Sequence, residues 1–264
     1  MTDPIPQEVI HFNFPRGLYL FDARPIWTAI RNAGLPDSIG KQFGPTAVAL
    51  VNRSILMDRA LQKLDHALKE LYALPELLQM ADVVDGKAVE EKQYNVLLYT
   101  DAVLFEFRSY LDLIANFANG VLTAAGKAPG KSQTLSTARS ITLLDKKGEL
   151  IRHNYLLYLS DQLGLQTHWY EFLNSGRHHF THQGAPDCVL EVKGGATGSF
   201  EAIITKTNII DFSTADPDDY FRISELQQIV NGVLRWAPAV QNYIQHQIFP
   251  RQLPAVSQSA TDAP

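Results

Sequence analysis

The chain has 264 residues, of which 45% are hydrophobic and 19% charged, and a formal net charge of −5. That composition excludes a disordered chain and supplies enough apolar material for one large core or two small ones. The mild acidity excludes an architectural polyanion binder working through a global positive field, while leaving a local cationic site open.

Cys188 is the single cysteine, which rules out an intrachain disulfide and suits a reducing compartment. The opening residues, MTDPIPQEVIHF, lack a basic region followed by an apolar run, so no secretory signal is expected. No stretch is long and apolar enough to span a membrane. Together these features predict a cytoplasmic protein with no membrane partner.

Residues 1–51 have no clear period and predict an irregular region packed on a helical bundle. Within it, "EVIHFNF" and "GLYLFD" suit short strands, and "RPIWTAIRNAG" suits a short helix ended by Gly34 and Pro36. From Asn52 the pattern changes. Leu61, Leu64, Leu68 and Leu71 form a helical stripe, which Pro75 ends or kinks. After the turn signal "DVVDGKA", a second long helix buries Leu104, Phe107, Leu111, Ile114, Ala118 and Val121. Its polar stripe, Asp101, Arg108, Asp112, Asn116 and Asn119, suits a solvated face, a site lining or a partner helix. "GKAPGKSQTLST" is a loop.

A third helix is predicted over Gly148–Gln162 with Gly164 closing it, then a fourth over "QTHWYEFLNSGRHHFTH". Gly176 predicts a break or restart near Arg177, since glycine inside a helix costs about 1 kcal/mol relative to alanine. A hairpin is expected next, at about 188–207. Its turn, "GGATGS", lacks the lysine of a phosphate loop and leads into a strand rather than a helix. The last helix, with Ser213 or Asp216 as its cap, carries a stripe from Ile223 to Ile244 and a kink at Pro238. The tail, 250–264, reads as disordered. The fold class is therefore mainly α: an up-and-down bundle over residues 52–249, with a small β-hairpin inserted before the last long helix.

The densest chemistry lies in "LNSGRHHFTHQGAP". Arg177 offers a permanent charge and a planar fork of donors that match phosphate or carboxylate. His182 exchanges a proton near neutral pH. Together they suit RNA cleavage by the internal 2′-hydroxyl, with Arg177 on the scissile phosphate and His182 as acid or base, and no metal or cofactor. One histidine cannot be both at once, so a symmetric homodimer that brings two strips together is expected. Alternatively, His178 and His182 share a helical face at metal-pair spacing, with His179, His168 or Asp187 as a third ligand. A plainer role is also open. Histidines near a helix C-terminus complement its dipole, Gly184 is placed as a stop, and the spacing favours this role for His178 and His179.

Arg, four residues, then His, late in a helical bundle and after the long helix with "LFEFRSYLDLIANF", resembles the HEPN superfamily. The resemblance covers roughly Asn52 to Phe249. It places the family's motif arginine on Arg177 and its histidine on His182. His178 stands where the family often has a small polar residue such as asparagine. The resemblance implies a homodimeric, metal-independent endoribonuclease or an RNA-binding protein, with His178 as an auxiliary phosphate contact. Glu106, Arg108 and Asp112 would then lie near the motif, with Glu106 and Asp112 as auxiliary residues, although an Arg108–Asp112 pair on a solvated face is the favoured reading of that stripe. Other members are toxins or partners of nucleotidyltransferases. A non-catalytic interaction module with a protein partner is therefore the alternative, beside a histidine-based metal site.

Overall fold

A computed structural model describes residues 21–73, 86–127, 140–144, 150–182, 187–193, 199–205 and 220–249. Among these the elements are, in order, α1 (Arg24–Asn32), α2 (Ser38–Tyr72), α3 (Gly86–Ala124), β1 (Ser140–Leu144), β2 (Leu150–Asn154), α4 (Tyr155–Leu163), α5 (His168–His182), β3 (Asp187–Lys193), β4 (Ser199–Thr205), β5 (Tyr220–Arg222) and α6 (Ile223–Ile248). Among the described residues the chain is mainly helical, with one small three-stranded antiparallel sheet and a separate hairpin.

The bundle is built on α2 and α3. Arg53 pairs with Glu106 at 2.7 Å and Glu70 with Lys92 at 2.7 Å, so the two helices run antiparallel. The leucine stripe of α2 and the apolar stripe of α3 are both buried. α6 closes the core with Leu226, Val230, Val233, Ala237, Val240 and Ile244 inside. Fully burying each of the larger aliphatic side chains contributes roughly 1.5–3 kcal/mol. Trp236 of α6 donates through Nε1 to Ser160 Oγ at 2.9 Å, which docks α4.

α1 ends as its sequence signals. Gly34 adopts a left-handed φ of 67°, and Leu35 N–H returns to the Ile30 carbonyl at 3.1 Å. Gly164, at φ 62°, closes α4 the same way, with Leu165 N–H on the Ser160 carbonyl at 2.9 Å.

Five expectations change. The helix placed from Asn52 begins at Ser38 and runs through Pro45. Lys41 and Pro45 are both exposed, so the carbonyl that loses its helical donor faces water. Buried Ile39 and Leu50 anchor that end, and the Phe43 ring lies where a Cβ on Gly120 would fall.

The helix expected from Gly148 starts only at Tyr155. Leu150–Asn154 is a strand paired with β1, Ile141 opposite His153. His153 and Asn154 are poor helix formers, and the apolar run in β1 supplies a partner.

The helix through Gly176 does not break. α5 is continuous, and Gly176 faces inward, where an added Cβ would meet Leu104 and Phe221 at 3.1 Å. The glycine is there for close approach, not for a turn.

The hairpin forms at β3–β4, Cys188 opposite Ile204, and gains β5 as a third strand beside β4. α6 accordingly starts at Ile223 rather than near Ser213 or Asp216. Its first turn is satisfied from the sheet: buried Glu201 accepts Ser224 N–H at 3.3 Å and pairs with Arg222 at 3.2 Å.

The fifth is the hairpin β1–β2 itself, which the pattern did not announce. At Pro238, α6 continues as one helix. The candidate strand "EVIHFNF", the first four residues of "GLYLFD", the caps Ser213 and Asp216, the turn at 194–198 and the tail lie outside the described residues.

Candidate functional site

The motif helix α5 is seated by polar contacts to α3. Arg108 is buried; its Nη1 donates to Tyr170 Oη and to Asn174 Oδ1 at 2.5 Å. The guanidinium lies over the Tyr170 ring, 4.9 Å from its centre. Its Nε is 3.5 Å from Asp112 Oδ1, an ion-pair distance without hydrogen-bond geometry. Trp169, one residue before Tyr170, lies against the α6 backbone at Gly232, and its Nε1 donates to the Gln166 carbonyl at 3.0 Å. The polar stripe is therefore not all solvated: Arg108 and Asn119 are inside.

That seat aims Arg177. With Gly176 turned to the core, the next residue points about 100° around the helix. Arg177 emerges half-buried at the outer edge of α3, its guanidinium carbon 5.8 Å from the centre of the Phe105 ring. Arg53 also reaches this ring, 5.7 Å from its centre, and is paired with Glu106. Asp101, one turn from Phe105, completes the edge. Burial raises its pKa, and the charge of Arg177 acts in the opposite sense.

The sequence-derived residues thus fall in different places. Arg177 joins Phe105 and Asp101. Glu106 serves Arg53 of α2, and Asp112 serves Arg108 in the α5 seat. His178 and His182 are helical positions in α5, four apart on one face, and their side chains lie outside the described residues. In a continuous helix Arg177 and His182 diverge by roughly 140°. His168 begins α5, roughly 15 Å of helical rise before His178, which takes it away from any shared metal. Among the described residues, no three His, Cys, Asp or Glu side chains group as metal ligands.

A groove of about 690 Å³ opens beside the C-terminal half of α5, between α3 and the start of β3. Its apolar wall is Tyr94, Leu97, Leu98, Phe180 and Cys188; Glu90, Glu91, Asp101 and Asp187 supply four carboxylates. Burial, helped by the Asp187 charge, pushes the Cys188 thiol up to about 12, so it stays protonated.

Tyr94 is 65% exposed, Leu98 49% and Phe105 45%. With Asp101 they recur at spacings of four, three and four, one stripe on the outer face of α3. This second stripe was missed in the sequence. It was visible there, but the stronger stripe through Leu104 and Phe107 claimed the helix.

No family model, curated protein or solved structure matches the chain.

Proposed function

We propose that the chain is a HEPN-like, cytoplasmic, homodimeric protein that acts on RNA through Arg177 and His182. The observation that supports this most is the exposed Phe105 ring, with the guanidiniums of Arg53 and Arg177 at 5.7 and 5.8 Å from its centre. An aromatic face with cations beside it suits a base and its phosphates. In this reading Arg177 holds the scissile phosphate. The 2′-oxygen bonds to phosphorus as the bond to the 5′-oxygen breaks. The proton leaves the 2′-hydroxyl and another reaches the 5′-oxygen, with His182 of one copy or the other as carrier. His178 assists at the phosphate. Arg177 and His182 diverge on one helix, so the pair is completed between two chains.

The test is cleavage of a fluorophore-labelled RNA by the purified full chain in chelator. His182→Ala and Arg177→Ala should each lose activity by at least about a hundredfold while keeping the helical circular dichroism of the parent. Cleavage that persists in His182→Ala overturns the mechanism.

A second reading has its own observation. The four carboxylates around the groove oppose a phosphate backbone at the end of α5. A non-catalytic interaction module would use Arg177 as an assembly contact. It would cleave no RNA and would lose its assembly when Arg177 is replaced.

A further inference from the structure

A cleft of about 580 Å³ opens at the opposite end of α5 from the acidic groove. Three segments form it: the turn after α4, the first residues of α5 and the outer face of α6. Its floor is set by two buried indoles, Trp169 and Trp236. Trp236 donates to Ser160 Oγ and Trp169 to the Gln166 carbonyl, so both ring N–H groups are used inside the protein. Trp169 also lies on the α6 backbone at Gly232. The floor is therefore rigid, and its indoles have no donor left to give.

The rim has the opposite character. Gln166, His168, Gln228, Asn231 and Arg235 line it, and each is exposed. No carboxylate is among its described lining residues. Asp161 and Glu171, the acidic residues of α4 and α5, do not line it, and α6 has none after Glu225. Among the described residues, neither the Arg235 nor the His168 side chain has a hydrogen bond or an ion pair. Gln227 donates to Asn231 Oδ1 at 3.1 Å, which leaves the Asn231 amide N–H groups as its donors.

We propose that this cleft binds a small phosphorylated sugar or polyol. Arg235 presents an unopposed planar fork that a phosphate can accept bidentately. His168 adds a second donor on the same rim. The Gln166, Gln228 and Asn231 amides meet hydroxyl groups, which both donate and accept. The indole floor takes the apolar C–H face of the sugar. Clefts for small ligands span about 300–1,000 Å³, so this one exceeds a bare phosphate and holds the polyol with it. Its charge excludes a polyamine or a basic peptide, and its polar rim excludes a lipid chain. The site stands apart from the RNA reading, since neither Arg177 nor Phe105 lines it.

Isothermal titration calorimetry of the full chain tests it, with ribose 5-phosphate, glucose 6-phosphate and glycerol 3-phosphate as probes. At least one should bind one-to-one with a dissociation constant below about 1 mM. Inorganic phosphate and the unphosphorylated parent compound should each bind more weakly by about tenfold or more, because each makes only part of the contacts. Gluconate, a polyol with a carboxylate of single charge, should fall behind by a similar factor. Arg235→Gln and Asn231→Asp, both at exposed positions, should each weaken the best probe on the order of tenfold while keeping the parent's circular dichroism and Tm. Absence of binding by all three probes at about 10 mM overturns the proposal. So does inorganic phosphate binding as tightly as the best probe, which would mark an adventitious ion only. Gluconate matching the best probe overturns the phosphate assignment, and binding indifferent to both substitutions overturns the site.

Discussion

Replacing Gly232 with alanine separates packing from propensity at the seat of the motif helix. On propensity alone alanine is favoured by about 1 kcal/mol in a helix interior. The geometry opposes it. A Cβ at position 232 would fall 2.1 Å from Cγ of Trp169 and 2.3 Å from its Cδ2. Those are ring atoms, not the end of a flexible chain. The ring has little room to retreat: Trp169 is buried, its Nε1 is held on the Gln166 carbonyl at 3.0 Å, and Tyr170 meets it edge-on at 6.0 Å. Tyr170 is in turn bonded to Arg108. Relief therefore requires α5 to shift against α6. A clash with ring atoms that cannot retreat falls at the upper end of the cost of overpacking, about 2–3 kcal/mol, so a net loss of about 1–2 kcal/mol remains after the propensity gain. For a chain of this size that lowers Tm by roughly 2–8 °C. Thermal and urea unfolding followed by circular dichroism would measure it. A Gly232→Ala variant as stable as the parent, or more so, would refute the claim that Trp169 lies directly on the α6 backbone.

Other consequences come from the same contacts. Arg108→Ala removes the buried charged donor shared by Tyr170 and Asn174 and its stacking on the Tyr170 ring, so it should cost about 1.5–3 kcal/mol in urea unfolding; a loss below about 1 kcal/mol would mean that α5 is seated by its apolar face alone. Cys188 should react slowly with a thiol reagent at pH 8 in the folded chain and rapidly after denaturation, because its thiol is buried and its pKa is pushed up to about 12 from 9.0. The sign of the linkage is set by that direction: the folded chain holds the proton more tightly. The Cys188 contribution is therefore complete below pH 9 and is lost as pH rises toward 12, and Cys188→Ala should flatten that part of the pH–stability curve.

The sequence announces what a single helix can say about itself. The stripes of α2, α3 and α6 were legible because each repeats every three or four residues, and the stops at Gly34 and Gly164 because a left-handed residue there has few alternatives. What was hidden depended on a second element. Residues 38–51 show no clear period until Ile39 and Leu50 are seen to be buried and Phe43 to lie against Gly120. Gly176 reads as a hinge until Leu104 and Phe221 occupy the space a side chain would need. Residues 150–154 read as helix until β1 supplies hydrogen bonds that the helix would otherwise have made internally. The candidate site shows the same division. Arg177 could be singled out from its spacing and chemistry, but its neighbours could not. Glu106 answers to Arg53 on a distant helix, and Phe105 acquires meaning only when two arginines from two other helices converge on it.

The continuous α5 alters what an Arg-x4-His spacing can mean in this chain. A break at Gly176 would have allowed one strip to fold its own arginine and histidine toward a common substrate. A regular helix sends them about 140° apart, so a joint role has to be supplied by geometry outside the strip. An RNA function at Arg177 therefore needs base contacts that outweigh the carboxylates around the neighbouring groove, and the exposed Phe105 ring beside that guanidinium is the surface that would supply them.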